Sequence, residues 1–294
     1  MRTILLCTAA ALLIGAAPAK KLLTPTDVVS SAPASAWKAI PAEDLVVMDL
    51  KSGGRVVLQL APQFAPVHVA NIRALARGHY WDGATIYRVQ DAYVVQWGQN
   101  DSEKGFPAGV IAKPPAEYTR PVKGLAIKPL GYADPYAPGA GFVNGWPIAY
   151  SPKGNWANLA HCYGSVGVGR DLSPDTGTGG ELYTAINPLR HLDRNIAVIG
   201  RIIDGMDKLS SLPRGTEALG IYKDKALYVP IAGIRLASDM PAAERPSYEY
   251  MDTLSPSFAR YLHLRANRHD DFYIRPAGGV DLCNVNPPVR KRSA

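Results

Sequence analysis

The chain has 294 residues, 47% of them apolar, and a formal net charge of +7. That length allows one large domain or two small ones, with ample apolar material for a core. Basic residues are scattered apart from Arg290-Lys291-Arg292, which reads as a solvated tail, so the charge excludes no protein class but indicates no nucleic-acid surface.

In chain order, the first residues read as an export signal. Arg2 gives a positive start, Ile4 to Ile14 an apolar run, and Ala17-Pro18-Ala19 a small-x-small cleavage site. Residues 1–19 are therefore expected to be removed on export to a periplasmic or secreted location, leaving a chain that begins at Lys20. Nothing after residue 19 resembles a membrane span. Residues 20–42 hold Ser, Pro and Ala with little periodicity and read as a linker. Asp44 to Leu50 and Arg55 to Leu60 read as two strands joined by a tight turn at Ser52-Gly53-Gly54. Pro66 then opens a helix and Gly78 ends it, with Val69, Ile72, Leu75 and Ala76 on one apolar face.

Ile86 to Val89 and Tyr93 to Gln96 read as the next two strands. Simple alternation places Ile86 with Arg88 on one face, and Val94 with Gln96 on one face. If those faces meet, a fixed cation and an amide stand over an apolar surface. That suits an uncharged, mostly apolar substrate carrying one or two carbonyls. Residues 101–160 are dense in Gly and Pro and read as an irregular excursion. Strands return at Gly164 to Gly169, Leu182 to Ile186, Ile196 to Ile203 and Leu227 to Leu236, with a short helix between Asp204 and Ser211. Many short strands separated by turn signals indicate an antiparallel barrel or sandwich. From Ser238 onward the chain is aromatic, and Ser255-Pro256 starts a helix carrying Phe258, Tyr261 and Leu262. This tail is expected to dock on the barrel.

Several chemistries find no support. The glycines from Gly164 to Gly169 are not followed by the Lys-Ser or Lys-Thr of a phosphate loop. A Gly-x-Ser-x-Gly elbow is absent. The histidines at 68, 79, 161, 191, 263 and 269 lack metal-ligand spacing, and there is no Cys-x-x-Cys. No cofactor or metal is expected. Cys162 and Cys283 remain after signal removal; an oxidising compartment permits a disulfide between them, and two buried thiols are the alternative.

The order of these pieces resembles the cyclophilin family of peptidyl-prolyl isomerases, over roughly Asp44 to Leu236. The resemblance rests on Ala65-Pro66-Val67, Asn71, Gly78, Tyr80, Asp82-Gly83, Ile86-Tyr87-Arg88-Val89 and Tyr93-Val94-Val95-Gln96-Trp97-Gly98. Further on it rests on Glu181-Leu182-Tyr183, His191-Leu192-Asp193, Ile199-Gly200-Arg201-Ile202 and Gly205-Met206. It implies a closed eight-stranded antiparallel β barrel capped by two helices, here residues 43–236 with a long insertion at about 101–160 and a docked extension at 237–294. By resemblance Arg88 matches the catalytic arginine, and Tyr93, Val94, Gln96, Tyr183 and Leu192 match the proline pocket and its rim. Glu181 stands for a family Gln, Tyr183 for a Phe, His191 for a Trp and Ile196 for a His, so the wall opposite Arg88 departs from the pattern. The implied partners are proline-containing unfolded or extended polypeptides, with no nucleic acid and no membrane once the signal is gone. Two functions are weighed: an isomerase of X-Pro bonds that assists folding of exported proteins, and a peptide-binding or chaperone module of low catalytic power.

Overall fold

A computed structural model of the protein describes residues 22–100, 103–270 and 272–292. The expected signal lies outside them. The elements in order are α1 (Pro25–Ser31), β1 (Trp37–Ala39), β2 (Leu45–Leu50), β3 (Arg55–Leu60), α2 (Pro66–Arg77), β4 (Thr85–Val89) and β5 (Val94–Gly98). They continue with β6 (Lys128–Pro129), β7 (Gly139–Val143), β8 (Trp146–Ser151), β9 (Trp156–Leu159), β10 (Ser165–Val168), β11 (Leu182–Ala185) and β12 (Val198–Asp204). Last come α3 (Met206–Ser210), β13 (Val229–Leu236), β14 (Tyr248–Met251), α4 (Pro256–Ala266) and β15 (Val289–Lys291).

Eight strands close into a barrel in the order β10-β11-β5-β4-β13-β2-β3-β12, every pairing antiparallel. The eight-stranded barrel expected from the sequence is thus present. Alternate residues fill it: Val46, Met48, Val56, Leu58, Val95, Trp97, Val166 and Val168 all point into one core. Helix α2 adds Val69, Ile72, Leu75 and Ala76 to that core, and Leu209 of α3 joins it. Burying an aliphatic side chain of this size contributes about 1.5–3 kcal/mol each.

Ala65 precedes α2 and has no side chain to cap it. The insertion supplies the cap instead. Glu117 accepts the backbone N–H groups of Val67 and His68 at 2.9 Å each, and the ring Nδ1 of His68 lies 2.7 Å from the same carboxylate. A carboxylate there satisfies donors that a helix start leaves open and complements the helix dipole. Glu117→Ala is expected to lower stability by about 1–2 kcal/mol, read as a lower urea midpoint with an unchanged slope.

Three expectations need correction. Residues 20–42 are not a linker: they hold α1 and β1. Thr24 and Asp27 form a reciprocal capping box, and Val28, Ala36 and Trp37 are buried. Nor is the excursion irregular throughout. From Lys128 it forms a four-stranded sheet, β6-β7-β8-β9, turned at Asn144-Gly145, where both residues adopt positive φ (49° and 81°) as a two-residue hairpin requires. The basic cluster at the end is not a free tail. Arg290 pairs with Glu249 at 2.6 Å and lies 3.9 Å from the Trp37 ring centre, and Lys291 pairs with Asp204 at 3.1 Å.

These pieces build a second core beside the barrel. Val28, Trp37, Phe142, Met251, Phe258 and Leu262 meet there, from the first segment, the insertion and the tail. Phe142 and Phe258 pack edge to face at 5.0 Å. Strands β1, β14 and β15 form a three-stranded sheet over it, and Tyr248 of β14 covers Leu45, Val47 and Val57 on the outside of the barrel. A disulfide joins Cys162 to Cys283, 121 residues apart, and lies within this second core. No helix of the described residues is long and apolar enough to cross a membrane.

Candidate active site

Strand β4 carries a bulge that decides where Arg88 points. Ile86 pairs with Trp97, but the next pair is Arg88 with Gln96, so Tyr87 is an extra residue. Alternation resumes one residue late. Ile86 and Val89 are fully buried in the barrel, whereas Arg88 faces outward beside Gln96. The expectation that Ile86 and Arg88 share a face is therefore wrong, and the bulge is the reason. On β5 the alternation is regular: Val95 and Trp97 point in, and Val94 and Gln96 point out with Arg88.

The outer face forms an apolar floor. Val94, Tyr183, Ala185 and Leu189 cluster there, with Tyr93, Leu192 and Ile196 against them. Above it opens a cavity of about 430 Å³. Arg88, Tyr93, Val94, Gln96, Tyr183 and Leu192 all line this cavity, so six residues separated by up to 104 positions meet at one place. Two expected members do not line it. His191 lies outside and stacks on Tyr93, ring centres 6.0 Å apart and 17° from parallel. Glu181 lines a neighbouring cavity of about 790 Å³ that shares Gln96, Gly169, Arg170 and Asp171 with the first. Val168, Gly169, Arg170, Asp171 and Leu172 line the first cavity without having been foreseen. They follow directly on the strand and glycine row that end at Gly169, the one local signal for them.

The guanidinium of Arg88 is held by three neutral acceptors. Nη1 donates to Gln96 Oε1 at 2.9 Å, Nη2 to Gln90 Oε1 at 2.5 Å, and Nε to the Leu219 carbonyl at 2.6 Å. A guanidinium has five N–H donors, so two stay available on its outer edge. Arg88 also lies 5.7 Å from the Tyr93 ring centre. Among the described residues no carboxylate is bonded to Arg88. Glu181 does not pair with Arg88. Its Oε2 accepts instead from Tyr87 OH at 2.8 Å and from Gln96 Nε2 at 3.1 Å. This fixes the amide of Gln96, because reversing it would set NH₂ against the guanidinium and oxygen against a carboxylate. Burial, followed by the Glu181 charge, pushes the Tyr87 phenol well above its ordinary value, so it remains a donor.

The third acceptor belongs to a loop that grips the free edge of β4. Gly215 N–H donates to Val89 O at 2.9 Å, Tyr222 N–H donates to Tyr87 O at 3.1 Å, and Ile221 bridges Arg88. Leu219 sits in the left-handed region at φ 61°, ψ 11°, a strained position for a leucine. Gly220 follows at φ 76°, and a Cβ there would lie 2.5 Å from Gln90 Cα. Gly220→Val is thus expected to displace both Gln90 and the Leu219 carbonyl. For any reaction that relies on Arg88, a lateral shift of its guanidinium of about 1 Å is enough to lower kcat by about tenfold to a hundredfold, with the melting temperature reporting any loss of fold separately.

Residues 45–234 match the family described as cyclophilin type peptidyl-prolyl cis-trans isomerase/CLD. A protein named probable peptidyl-prolyl cis-trans isomerase from Brucella suis biovar 1 is 25% identical over 183 residues, covering 61% of this chain and 76% of that protein. The protein of the same name from Brucella abortus strain 2308 is 24% identical over the same shares. Among solved structures, the cyclophilin AquaCyp293 from Hirschia baltica matches with a TM-score of 0.68 and 23% identity, covering 92% of this chain and 98% of that one. The likeness extends beyond the barrel, since the matched share of the chain exceeds residues 45–234. With a closed barrel, an outward arginine over an apolar cavity and a family match across that barrel, the chain belongs to the cyclophilin-type peptidyl-prolyl cis-trans isomerases.

Proposed function

We propose that this isomerase acts on X-Pro bonds of exported proteins and assists their folding, with Arg88 as its catalytic residue. The observation that carries the reading is the Arg88 guanidinium, fixed by three neutral acceptors at the rim of an apolar cavity. Rotation about a peptide bond meets a barrier of about 18–20 kcal/mol because resonance must be lost. An X-Pro bond populates both planar forms but exchanges over tens of seconds or more. Catalysis therefore requires tighter binding of the twisted amide than of either planar form. Twisting returns the lone pair to the proline nitrogen. One free N–H of Arg88 approaches that nitrogen, and the other holds a substrate carbonyl. Val94, Tyr183 and Leu192 bury the proline ring, contributing about 1.5–3 kcal/mol by area. No proton is transferred and no covalent intermediate forms.

The neutral acceptors of Arg88 matter here. A carboxylate bonded to Arg88 would compete with the substrate for the same donors. The second function weighed, a binder of low catalytic power, shares the cavity and differs in rate. Refolding of a secreted substrate protein whose slow phase is limited by proline isomerisation separates the two. Acceleration by the wild type and not by Arg88→Ala is the expected outcome. Equal refolding rates with and without the enzyme contradict a role in folding. Export is read from the mass of the protein in the host's extracytoplasmic fraction, which should begin at Lys20. An intact chain confined to the cytoplasm contradicts it.

A further inference from the structure

Behind the cavity floor runs a buried chain of polar groups that the isomerisation chemistry does not use. The Tyr183 ring forms the floor, and its hydroxyl lies 3.1 Å from Nε2 of His161, which is fully buried. His161 Nδ1 lies 3.1 Å from Asp193 Oδ1, and the backbone N–H of His161 donates to the same oxygen at 2.9 Å. A carboxylate only accepts, so Nδ1 carries the proton and Nε2 accepts from the tyrosine. Arg190 Nε donates to Asp193 Oδ2 at 2.6 Å, and its two Nη atoms donate to both oxygens of Asp134 at 3.1 and 2.8 Å. Asp134 belongs to the insertion and its side chain is 1% exposed.

The surroundings are shaped for this chain. Tyr183 stands where the family pattern has a phenylalanine. The extra hydroxyl needs room, and Gly167, its partner across β10 and β11, provides it: a Cβ there would lie 2.3 Å from that oxygen. The charges are mutually matched. Burial alone would raise the Asp193 carboxyl, yet the hydrogen bond from His161 and the charge of Arg190 hold it below its ordinary value. Burial likewise opposes the Arg190 charge, and the bonds to Asp134 and Asp193 reverse that effect. Arg190 opens the one-turn 3₁₀ helix, Arg190–Leu192, whose last residue is the cavity wall. The same chain thus touches the floor through Tyr183 and the wall through Leu192.

We propose that His161 is a positioning residue for the isomerase, and that the insertion sets the shape of the proline pocket through Asp134, Arg190, Asp193 and His161. This rests on reading the cavity as the proline pocket. A hydrogen bond of this kind between buried groups holds the ring plane against rotation and sliding, and turns the Tyr183 hydroxyl away from the substrate. The buried Asp134 of the insertion is therefore coupled to turnover without contacting the peptide.

The test compares wild type, His161→Leu, Tyr183→Phe and the double variant for kcat and KM on an Ala-Pro tetrapeptide, alongside melting temperatures. One lost hydrogen bond corresponds to a change of about three- to tenfold. His161→Leu is expected to raise KM by that factor in the wild type, and by less than about twofold in Tyr183→Phe, where the hydroxyl it acts through is gone. The melting temperatures of all four proteins read any loss of fold separately from KM. Equal factors on KM in the two backgrounds overturn the proposal, because His161 would then act on stability alone. Asp134→Asn in both backgrounds gives the same comparison at the far end of the chain, should His161→Leu fail to fold. Arg88→Ala, assayed beside them, separates the two ideas: loss of activity keeps the pocket reading whatever the cycle shows, whereas full activity removes that reading and this proposal with it.

Discussion

Arg88→Ala is expected to lower kcat/KM for X-Pro isomerisation by about 10²–10³-fold, equivalent to about 2.7–4 kcal/mol of lost transition-state stabilisation. The effect should fall mainly on kcat. In the proposed mechanism peptide affinity comes from the apolar floor of Val94, Tyr183 and Leu192, which the substitution leaves in place. The twisted amide, by contrast, gains from a donor that the planar forms do not use equally well. Stability should change little, because the three acceptors of Arg88 are neutral and lie near the surface, where water replaces the lost donor. Arg88→Lys keeps the charge but cannot reach Gln90, Gln96 and Leu219 together, since an ammonium is a point charge on a flexible stem. A rate well below wild type is expected for it too. Steady-state kinetics on one tetrapeptide across the three proteins checks both statements.

Cys283→Ser is expected to lower stability by about 2–5 kcal/mol, the second large effect. The bond closes a loop of 121 residues, and the chain-entropy model gives about 4–5 kcal/mol for a closure of that length. The second core is assembled from α1, the insertion sheet and the tail, which are far apart in sequence. Its apolar contacts must offset the entropy of bringing those segments together. Cutting the bond leaves that task to packing alone. Urea unfolding of the oxidised protein, the reduced protein and Cys283→Ser measures this. Reduction and substitution should shift the midpoint alike, and a midpoint unmoved by either would contradict the role given to the bond.

Much of the barrel is legible in the sequence because its signals are local. Alternating apolar residues, the Ser52-Gly53-Gly54 turn and the Pro66-to-Gly78 helix each declare themselves within a dozen residues. The bulge at Tyr87 does not, because it is a property of two strands in register and not of β4 alone. The face of Arg88 could not follow from alternation for that reason. The insertion sheet was obscured by its Gly and Pro content, although Asn144-Gly145 between Phe142-Val143 and Trp146 is a hairpin signal of the strongest short-range kind. The same holds for Thr24-x-x-Asp27, a capping box inside a segment that composition alone made look unstructured.

The site divides along the same line. Arg88, Tyr93, Val94 and Gln96 from one pair of short motifs, and Tyr183 and Leu192 from two others, line one cavity. The roles of Glu181 and His191 could not be read, since each depends on a neighbour from another strand or turn: Gln96 and Tyr87 for one, Tyr93 for the other. His161 looked like one more isolated histidine. Its partners Tyr183 and Asp193 lie 22 and 32 positions away and meet it only after the barrel closes.

In the proposed mechanism a proline seats on the floor formed by Val94, Tyr183 and Leu192 while Arg88 stabilises the twisted bond. Exchange NMR on an Ala-Pro tetrapeptide tests it most directly, with wild type and Arg88→Lys each added in catalytic amounts and the protein's own amide shifts followed at higher peptide. The expected result is cis–trans exchange accelerated by wild type, with peptide-induced shifts at Val94, Gln96, Tyr183 and Leu192. Arg88→Lys should keep the shifts and lose most of the exchange. Wild-type exchange in Arg88→Lys, or shifts confined to the second core, would contradict it.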